Sequence, residues 1–395
     1  MAKLGNYIEQ IRGVSYKPTD LHDSLDEESV TLLRANNIQD GHIVMDEVVY
    51  VAKNKVVAKQ YLKKGDILIC TSSGSKELVG KAAYIEEIMP MTFGAFCKVI
   101  RPKTECPKYI GHFFQSPYYR RSISDLSAGA NINNIRNEHI EGLEIPIPPL
   151  DEQRRIAAVL DKVSDLTAKR REQLDKLDEL VKARFVEMFG DPVSNPKGWN
   201  IIRLSELGDC KNGMNFHTDD SGVEIHCLGV GDFKNLSSIS DTAKLPIITL
   251  NEMPTNDYLL KNGDIVFVRS NGNKALVGRS VIVYPDDTPT TFSGFCIRFR
   301  IQNPIILPQY LLSVLKTASM RKQMTGRGAN IQNLNQKILS ELKIPVSPLP
   351  YQEEYIDFTI KIDKSKLTIQ QSLDKLEVLK KALMQQYFGR GNDNG

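Results

Sequence analysis

Tyr61-Leu62-Lys63-Lys64-Gly65-Asp66-Ile67 has a downstream echo, Tyr258-Leu259-Leu260-Lys261-Asn262-Gly263-Asp264-Ile265. The echo continues along the chain. Leu78-Val79-Gly80-Lys81 returns as Leu276-Val277-Gly278-Arg279, and Phe93-Gly94-Ala95-Phe96-Cys97 as Phe292-Ser293-Gly294-Phe295-Cys296. Gly129-Ala130-Asn131-Ile132 returns as Gly328-Ala329-Asn330-Ile331, and Leu174-Asp175-Lys176-Leu177 as Leu373-Asp374-Lys375-Leu376. Residues 61–190 thus recur at 258–389, displaced by 197 positions at the start and by an almost constant 198 or 199 thereafter. That period is far above the roughly 20–50 residues of a solenoid repeat and is the size of a domain. The chain reads as one globular domain plus one long helix, written twice. The first 60 residues and their counterparts match poorly, so the frame repeats while part of each domain varies.

The helices are delimited by their breakers. Ile145-Pro146-Ile147-Pro148-Pro149-Leu150 cannot be helix interior, because proline lacks the N–H and clashes with the preceding turn. Asp151-Glu152-Gln153 then opens a helix with acids in the first turn, where the macrodipole favours them. Gly190-Asp191-Pro192 stops it. A spacing that alternates 4 and 3 selects Ile156, Leu160, Val163, Thr167, Arg170, Leu174, Leu177, Val181, Arg184 and Met188, of which seven are apolar. In the second copy it selects Tyr355, Thr359, Ile362, Lys366, Ile369, Leu373, Leu376, Lys380, Leu383 and Tyr387, again with seven apolar. Narrow seams of this spacing are those of a coiled coil, so the two helices are predicted to pack on each other. The other arrangement, each helix lying only on its own domain, is disfavoured because the helix would outrun a domain of that size. The expected division is a globular domain over 1–150, a helix over 151–190, a second globular domain over 191–350 and a last helix over 351–395. Short strand-like runs such as Ile67-Leu68-Ile69-Cys70 mix with helical spacing over 107–126. The class is therefore α+β, with two similar mixed α/β domains.

Composition narrows the function. Of the 395 residues 41% are apolar and 25% charged, as in an ordinary globular protein. No run reaches the roughly 18 apolar residues of a membrane span. Met1-Ala2-Lys3 leads into no apolar signal core, so a cytoplasmic protein is expected. Cys70, Cys97, Cys106, Cys210, Cys227 and Cys296 show no C-x-x-C spacing and are expected to be reduced core residues. Gly74 to Lys81 has the wrong spacing for a phosphate-binding loop, and no histidine pair has the spacing of a metal site. Neither a catalytic motif nor a cofactor site is expected. Lys and Arg number 18 over residues 1–150 against 18 Asp and Glu, and 9 against 9 over 151–190. Bulk charge therefore cannot hold a polyanion, and any nucleic-acid contact must come from local clusters.

Such clusters occur in pairs. Thr71-Ser72-Ser73-Gly74-Ser75-Lys76 aligns with Arg269-Ser270-Asn271-Gly272-Asn273-Lys274. Each loop combines donors and acceptors suited to base edges with a phosphate-seeking lysine. A plain hairpin turn rich in Ser, Asn and Gly would look similar. Ser127-Ala128-Gly129-Ala130-Asn131 and Gly326-Arg327-Gly328-Ala329-Asn330 sit between helical segments, where their N–H groups suit a phosphate or simply a helix–helix turn. Arg120-Arg121 and Arg321-Lys322 close the helices just before these turns. A solvated helix end explains them, and their place beside the Gly-rich turn favours phosphate contact.

One combination is more specific. An I-P-x-P-P-L-x-E-Q element, Ile145 to Gln153, follows a G-A-x-I-x-N-I stretch, Gly129 to Ile135. The helix then ends in L-x-x-L…F-x-x-M-F-G, Leu177 to Gly190, and the whole arrangement occurs twice. Over nearly its full length the chain resembles the specificity subunit of Type I DNA restriction–modification systems. The second junction departs from the pattern at Pro348-Leu349-Pro350-Tyr351-Gln352-Glu353, which bears on where the last helix starts. The resemblance implies two target-recognition domains, each reading one half of an interrupted, bipartite double-stranded DNA target. It implies an antiparallel helix pair that spaces the domains, a pseudo-two-fold repeat, and docking of two methyltransferase subunits together with restriction/translocase subunits. It also implies a subunit without cofactor or catalysis. The rival expectation is a duplicated protein-interaction scaffold that never touches DNA; near-neutral charge favours it and the paired polar loops oppose it.

Overall fold

The computed structural model describes residues 1–75, 77–88, 90–126, 133–217, 220–233, 237–325 and 333–389. The chain divides into two compact units, Met1–Gln173 with Ile369–Gly395, and Leu174–Thr368.

In the first unit the strands of the two four-stranded sheets are β1 (Ile8–Arg12), β2 (Leu21–His22), β3 (Ser29–Leu33), β4 (Val49–Ala52), β5 (Ile67–Cys70), β6 (Ala82–Tyr84), β7 (Thr92–Phe93) and β8 (Cys97–Pro102). They form two sheets, in the orders β6-β5-β8-β1 and β7-β3-β4-β2. Side chains alternate across a strand, so Ile67 and Ile69 leave β5 on one face and Leu68 and Cys70 on the other. Both faces are buried. Ile67, Ile69 and Ile100 pack with Tyr109, Ile110, Phe113, Tyr119 and Ile123 of two helices. Leu68, Cys70 and Val99 pack with Ile11, Leu33 and Phe93. The helices are α1 (Pro107–Phe113) and α2 (Pro117–Leu126). The helical spacing over 107–126 is thus interrupted, and Pro117 opens the second piece, where its missing N–H costs nothing.

The second unit repeats this plan. The strands of its two larger sheets are β9 (Gly208–Asn212), β10 (Val223–Leu228), β11 (Ser238–Ile239), β12 (Ile247–Leu250), β13 (Asp264–Val268), β14 (Ser280–Val283), β15 (Thr290–Phe292) and β16 (Cys296–Ile301). Their orders are β9-β16-β13-β14-β11 and β12-β10-β15. Helices α4 (Pro308–Lys316) and α5 (Ala318–Thr325) cover one face through Tyr310, Leu311, Val314, Met320 and Met324. The long helix α3 (Leu150–Phe189) comes before this unit's strands, and α6 (Leu349–Phe388) follows.

The repeated Gly-Asp pair is explained by a buried ion pair. Arg101 donates through Nε and Nη2 to both oxygens of Asp66 at 2.7 and 2.8 Å. Arg300 does the same to Asp264 at 2.9 and 2.7 Å. Each carboxylate also caps its own turn, accepting from Lys63 N or Lys261 N. Gly65 and Gly263 sit at φ 90° and 88° beside it, in the left-handed region open to glycine. Removing Asp264 leaves the partly exposed Arg300 without its carboxylate and the turn without its cap. Asp264→Ala is expected to cost about 1.5–3 kcal/mol, read as a fall in the urea midpoint of the second unit. An unchanged midpoint would show the pair to be dispensable.

Helices α3 and α6 are 40 residues each. Gln153 and Gln352 seat their first turns alike, donating from Nε2 to Pro148 O at 2.8 Å and to Ser347 O at 2.7 Å. Pro350 lies inside the first turn of α6, where no N–H is needed, so the departure at the second junction leaves the start of the helix in place. Gly190 ends α3 at φ 76°.

The two helices pack together and run antiparallel. In the first unit Arg171 Nη2 donates to Glu377 Oε1 at 3.0 Å, while Leu160 shares a core with Leu383, Met384, Tyr387 and Phe388. In the second, Lys366 pairs with Asp178, and Arg184 donates to Glu354 Oε1 at 2.7 Å, so numbers rise along α3 as they fall along α6. Burial follows the 4–3 spacing. Ile156, Leu160, Val163 and Leu373 are buried, and Leu174, Leu177, Val181, Ile362, Ile369, Leu376 and Leu383 are half-buried. Leu180, Leu367 and Val378, off that spacing, are exposed.

The helix ends also plug the globular cores. The Phe388 ring lies 5.2 Å from that of Tyr109, and the Phe189 ring 4.9 Å from that of Tyr310. Each tyrosine hydroxyl donates to a carbonyl of the Pro-rich exit, Pro146 O at 2.7 Å or Pro345 O at 2.8 Å.

Candidate nucleic-acid interface

Each unit presents a polar loop fixed by the same main-chain bonds. At the end of β5, Thr71 N and Ser72 N donate to Phe96 O at 2.9 and 3.2 Å. Asn133–Asn134 pairs antiparallel with Ser72–Ser73, and Ile135 N donates to Thr71 O at 2.8 Å. The loop turns through Leu78 N to Ser75 O and closes where Gly80, at φ 80°, donates to Cys70 O at 2.8 Å. In the second unit Arg269 N and Ser270 N donate to Phe295 O at 2.7 and 3.4 Å. Ser270 bridges Asn333, and Leu334 N donates to Arg269 O at 2.8 Å. Leu276 N donates to Asn273 O, and Gly278, at φ 74°, donates to Val268 O at 2.9 Å.

A guanidinium clamps each loop from below. Arg120 donates through Nη1 to Val79 O at 2.7 Å and through Nη2 to Glu77 O at 3.0 Å. Arg321 donates to Ala275 O at 3.2 Å and Val277 O at 3.1 Å. The sequence reads both arginines as phosphate contacts or as solvated helix ends; in the structure their guanidiniums also bond the backbone of the loop. Their neighbours Arg121 and Lys322 are exposed.

On this shared frame the outward chemistry differs. The first loop offers Ser72 and Ser73, half-buried, and Ser75, exposed. The second offers Arg269 and Asn271, half-buried, and Asn273, exposed. Arg269 commits Nη1 to Gly294 O at 3.2 Å, a fraction of its five donors. Asn271 and Asn273 accept from Asn273 N and Ala275 N through their amide oxygens, and the remaining group of each side chain is an NH2 donor. Lys76, Asn131, Arg327 and Asn330 lie outside the described residues, and of Lys274 the backbone alone is described. Sequence reasoning passed over two exposed asparagines beside the loops, Asn134 on a two-residue strand and Asn333 at an isolated bridge. Their recurrence 199 positions apart was the available signal. The thiols of Cys97 and Cys296 sit in the sheet core, where burial pushes their pKa up and away from nucleophilic use.

The model of the Type I restriction modification DNA specificity domain matches residues 19–176 and again 196–380. The chain is 33% identical over 362 residues to the Type I restriction enzyme StySPI specificity subunit of Salmonella potsdam, covering 88% of this chain and 78% of the relative. It is 32% identical over 347 residues to the EcoKI specificity subunit of Escherichia coli (strain K12), covering 82% and 72%. The fold is that of two solved chains. A chain of a type I R-M system is 18% identical with TM-score 0.57, covering 98% of each chain. The S subunit from M. genitalium is 16% identical with TM-score 0.53, covering 98% of this chain and 95% of that one. The doubled domain, the antiparallel helix pair and these likenesses together place the chain in the family of Type I restriction–modification specificity subunits, the non-catalytic subunits through which such complexes recognise a DNA sequence.

Proposed function

We propose that the two loop faces are the two reading surfaces of this subunit, each contacting one half of a bipartite, interrupted DNA target. Residues 1–150 then form one target-recognition domain and 191–350 the other. Segments 151–190 and 351–395 carry the helices on which two methyltransferase subunits dock, with restriction/translocase subunits joining in the cytoplasm. The observation that carries this reading is one backbone frame bearing unlike side chains: Ser73 and Ser75 in one unit against Asn271 and Asn273 in the other, with the half-buried Arg269 where the first unit has the buried Thr71. A frame held by main-chain bonds supplies orientation, and exchangeable side chains supply base choice. Unlike side chains imply unlike half-sites. Methylation belongs to the partner subunits, which must extrude the target base to reach it.

Arg269→Ala in the assembled methyltransferase is expected to relax or abolish the half of the motif read by the second unit. The cost is about 1–3 kcal/mol if the guanidinium makes a bidentate base contact. Lys274→Ala is expected to weaken all sequences alike and to lower the salt slope by about 1. Methylation mapping and salt-titrated binding read both. An unaltered motif and affinity in Arg269→Ala would reduce the loop to a turn. DNA binding absent at every salt concentration, with methyltransferase subunits bound, would favour the scaffold.

A further inference from the structure

Each candidate face also carries an exposed phenylalanine. Phe96 is 71% exposed and Phe295 62%. Both stand in a tight turn between two strands, closed by Cys97 N to Gly94 O and by Cys296 N to Ser293 O, each at 2.8 Å. The carbonyl of each phenylalanine receives the first N–H groups of its polar loop, so ring and loop rise from one place.

The turns are buttressed. Val14 N donates to Phe93 O at 2.8 Å and Met214 N to Phe292 O at 3.0 Å. Gly13 and Gly213 press flat against the turns. A Cβ on Gly13 would stand 2.1 Å from Gly94 O, and one on Gly213 would stand 2.1 Å from Ser293 O. The next residues, Cys97 and Cys296, are buried. Each ring is therefore set at the surface by a backbone that has little freedom to withdraw it.

An exposed ring in this position serves no core. A protein partner would call for a continuous apolar patch. The main chain of each phenylalanine instead meets a polar loop: Phe96 O accepts from Ser72 N, whose residue pairs with Asn134, and Phe295 O accepts from Ser270 N, whose residue bridges Asn333. A ligand that matches an apolar ring flanked by hydroxyls and amides has both an apolar surface and hydrogen-bonding edges, as base pairs do. Phenylalanine meets the thymine methyl in the major groove or wedges against the face of a base step.

We propose that Phe96 and Phe295 are base-contacting residues, each supplying the apolar contact of its own half-site. This rests on the loops being DNA-reading surfaces. The test uses the full chain with its methyltransferase subunits, carrying Phe96→Ala, Phe295→Ala or Arg269→Ala. Cognate and unrelated duplexes are titrated at several salt concentrations, and methylated motifs are mapped. Phe295→Ala is expected to weaken the cognate duplex roughly ten-fold and to relax the half-site affected by Arg269→Ala. Phe96→Ala should do the same to the other half. Binding to unrelated DNA and the salt slope should stay unchanged, because the ring neutralises no phosphate. Rings this exposed leave folding intact, and urea midpoints verify it. An altered motif in Arg269→Ala beside an unaltered one in Phe295→Ala would overturn this inference alone. Silence in both would overturn the reading of the loops. Loss of methyltransferase co-purification with DNA preference unchanged would assign the ring to a protein contact and overturn the proposal.

Discussion

Expressed alone, residues 1–190 are expected to assemble as a two-fold dimer whose DNA target is a palindrome. The first unit completes its core with Met384 and Phe388, which this fragment lacks. The Phe388 ring sits 5.2 Å from Tyr109 and 5.8 Å from Phe113. Phe185 and Phe189 stand 199 positions before Met384 and Phe388, at the same point of the equivalent helix. A second copy of the fragment therefore brings a suitable plug, and each copy can seal the other through an isologous interface. Association now costs entropy that the covalent chain had removed, so the dimer should be weaker and concentration-dependent. With two identical reading faces the target becomes symmetric, as two-fold proteins meet two-fold sites. Co-expression with the methyltransferase and methylation mapping give the answer. A fragment that is folded, dimeric and partner-bound yet methylates an asymmetric site, or none, would sink the model of two equivalent readers.

Phe388→Ala is expected to be among the most damaging single substitutions in the first unit. The ring is fully buried between α1 and the helix pair. Emptying such a site costs about 3–5 kcal/mol, a large fraction of the stability of an ordinary domain. Phe189→Ala should do equal harm to the second unit, where the ring meets Tyr310 at 4.9 Å and Tyr355 at 5.6 Å. The two sites share no partner, so their effects should add. Hydrogen exchange resolved along the chain should locate the first loss in residues around Tyr109 and the second around Tyr310. A uniform loss of protection from either substitution, or none, would contradict the plug.

The duplication and the two long paired helices were legible because each shows as a pattern along the chain. A 4–3 spacing is visible within a few turns. Longer-range features were hidden. Arg120 and Arg321 read as phosphate contacts or solvated helix ends, and nothing local announced their bonds to carbonyls 41 to 46 residues away. Arg101 and Arg300 gave no sign of pairing with the repeated aspartates. The poor match of the first 60 residues concealed the shared role of β1 and β9, which pair with β8 and β16 alike. Strand pairing asks little of residue identity, so sequence can drift while the pairing holds. On the candidate face, side-chain identities were plain from the start, and what was missing was the backbone frame that brings the loop, the aromatic turn and the paired asparagine together.

The composition of the first unit, Met1–Gln173 with Ile369–Gly395, bears on the order in which the protein is finished. The second unit is one unbroken stretch, Leu174–Thr368, and has all its parts once that stretch has left the ribosome. The first begins earlier and is sealed later. Phe388 is synthesised 275 residues after Phe113, whose ring it covers, a delay of roughly 14–55 s at about 5–20 residues per second. During that interval the aromatic pocket around Tyr109 lacks the Phe388 ring that closes it in the finished chain, so the unit begun first is the one completed last.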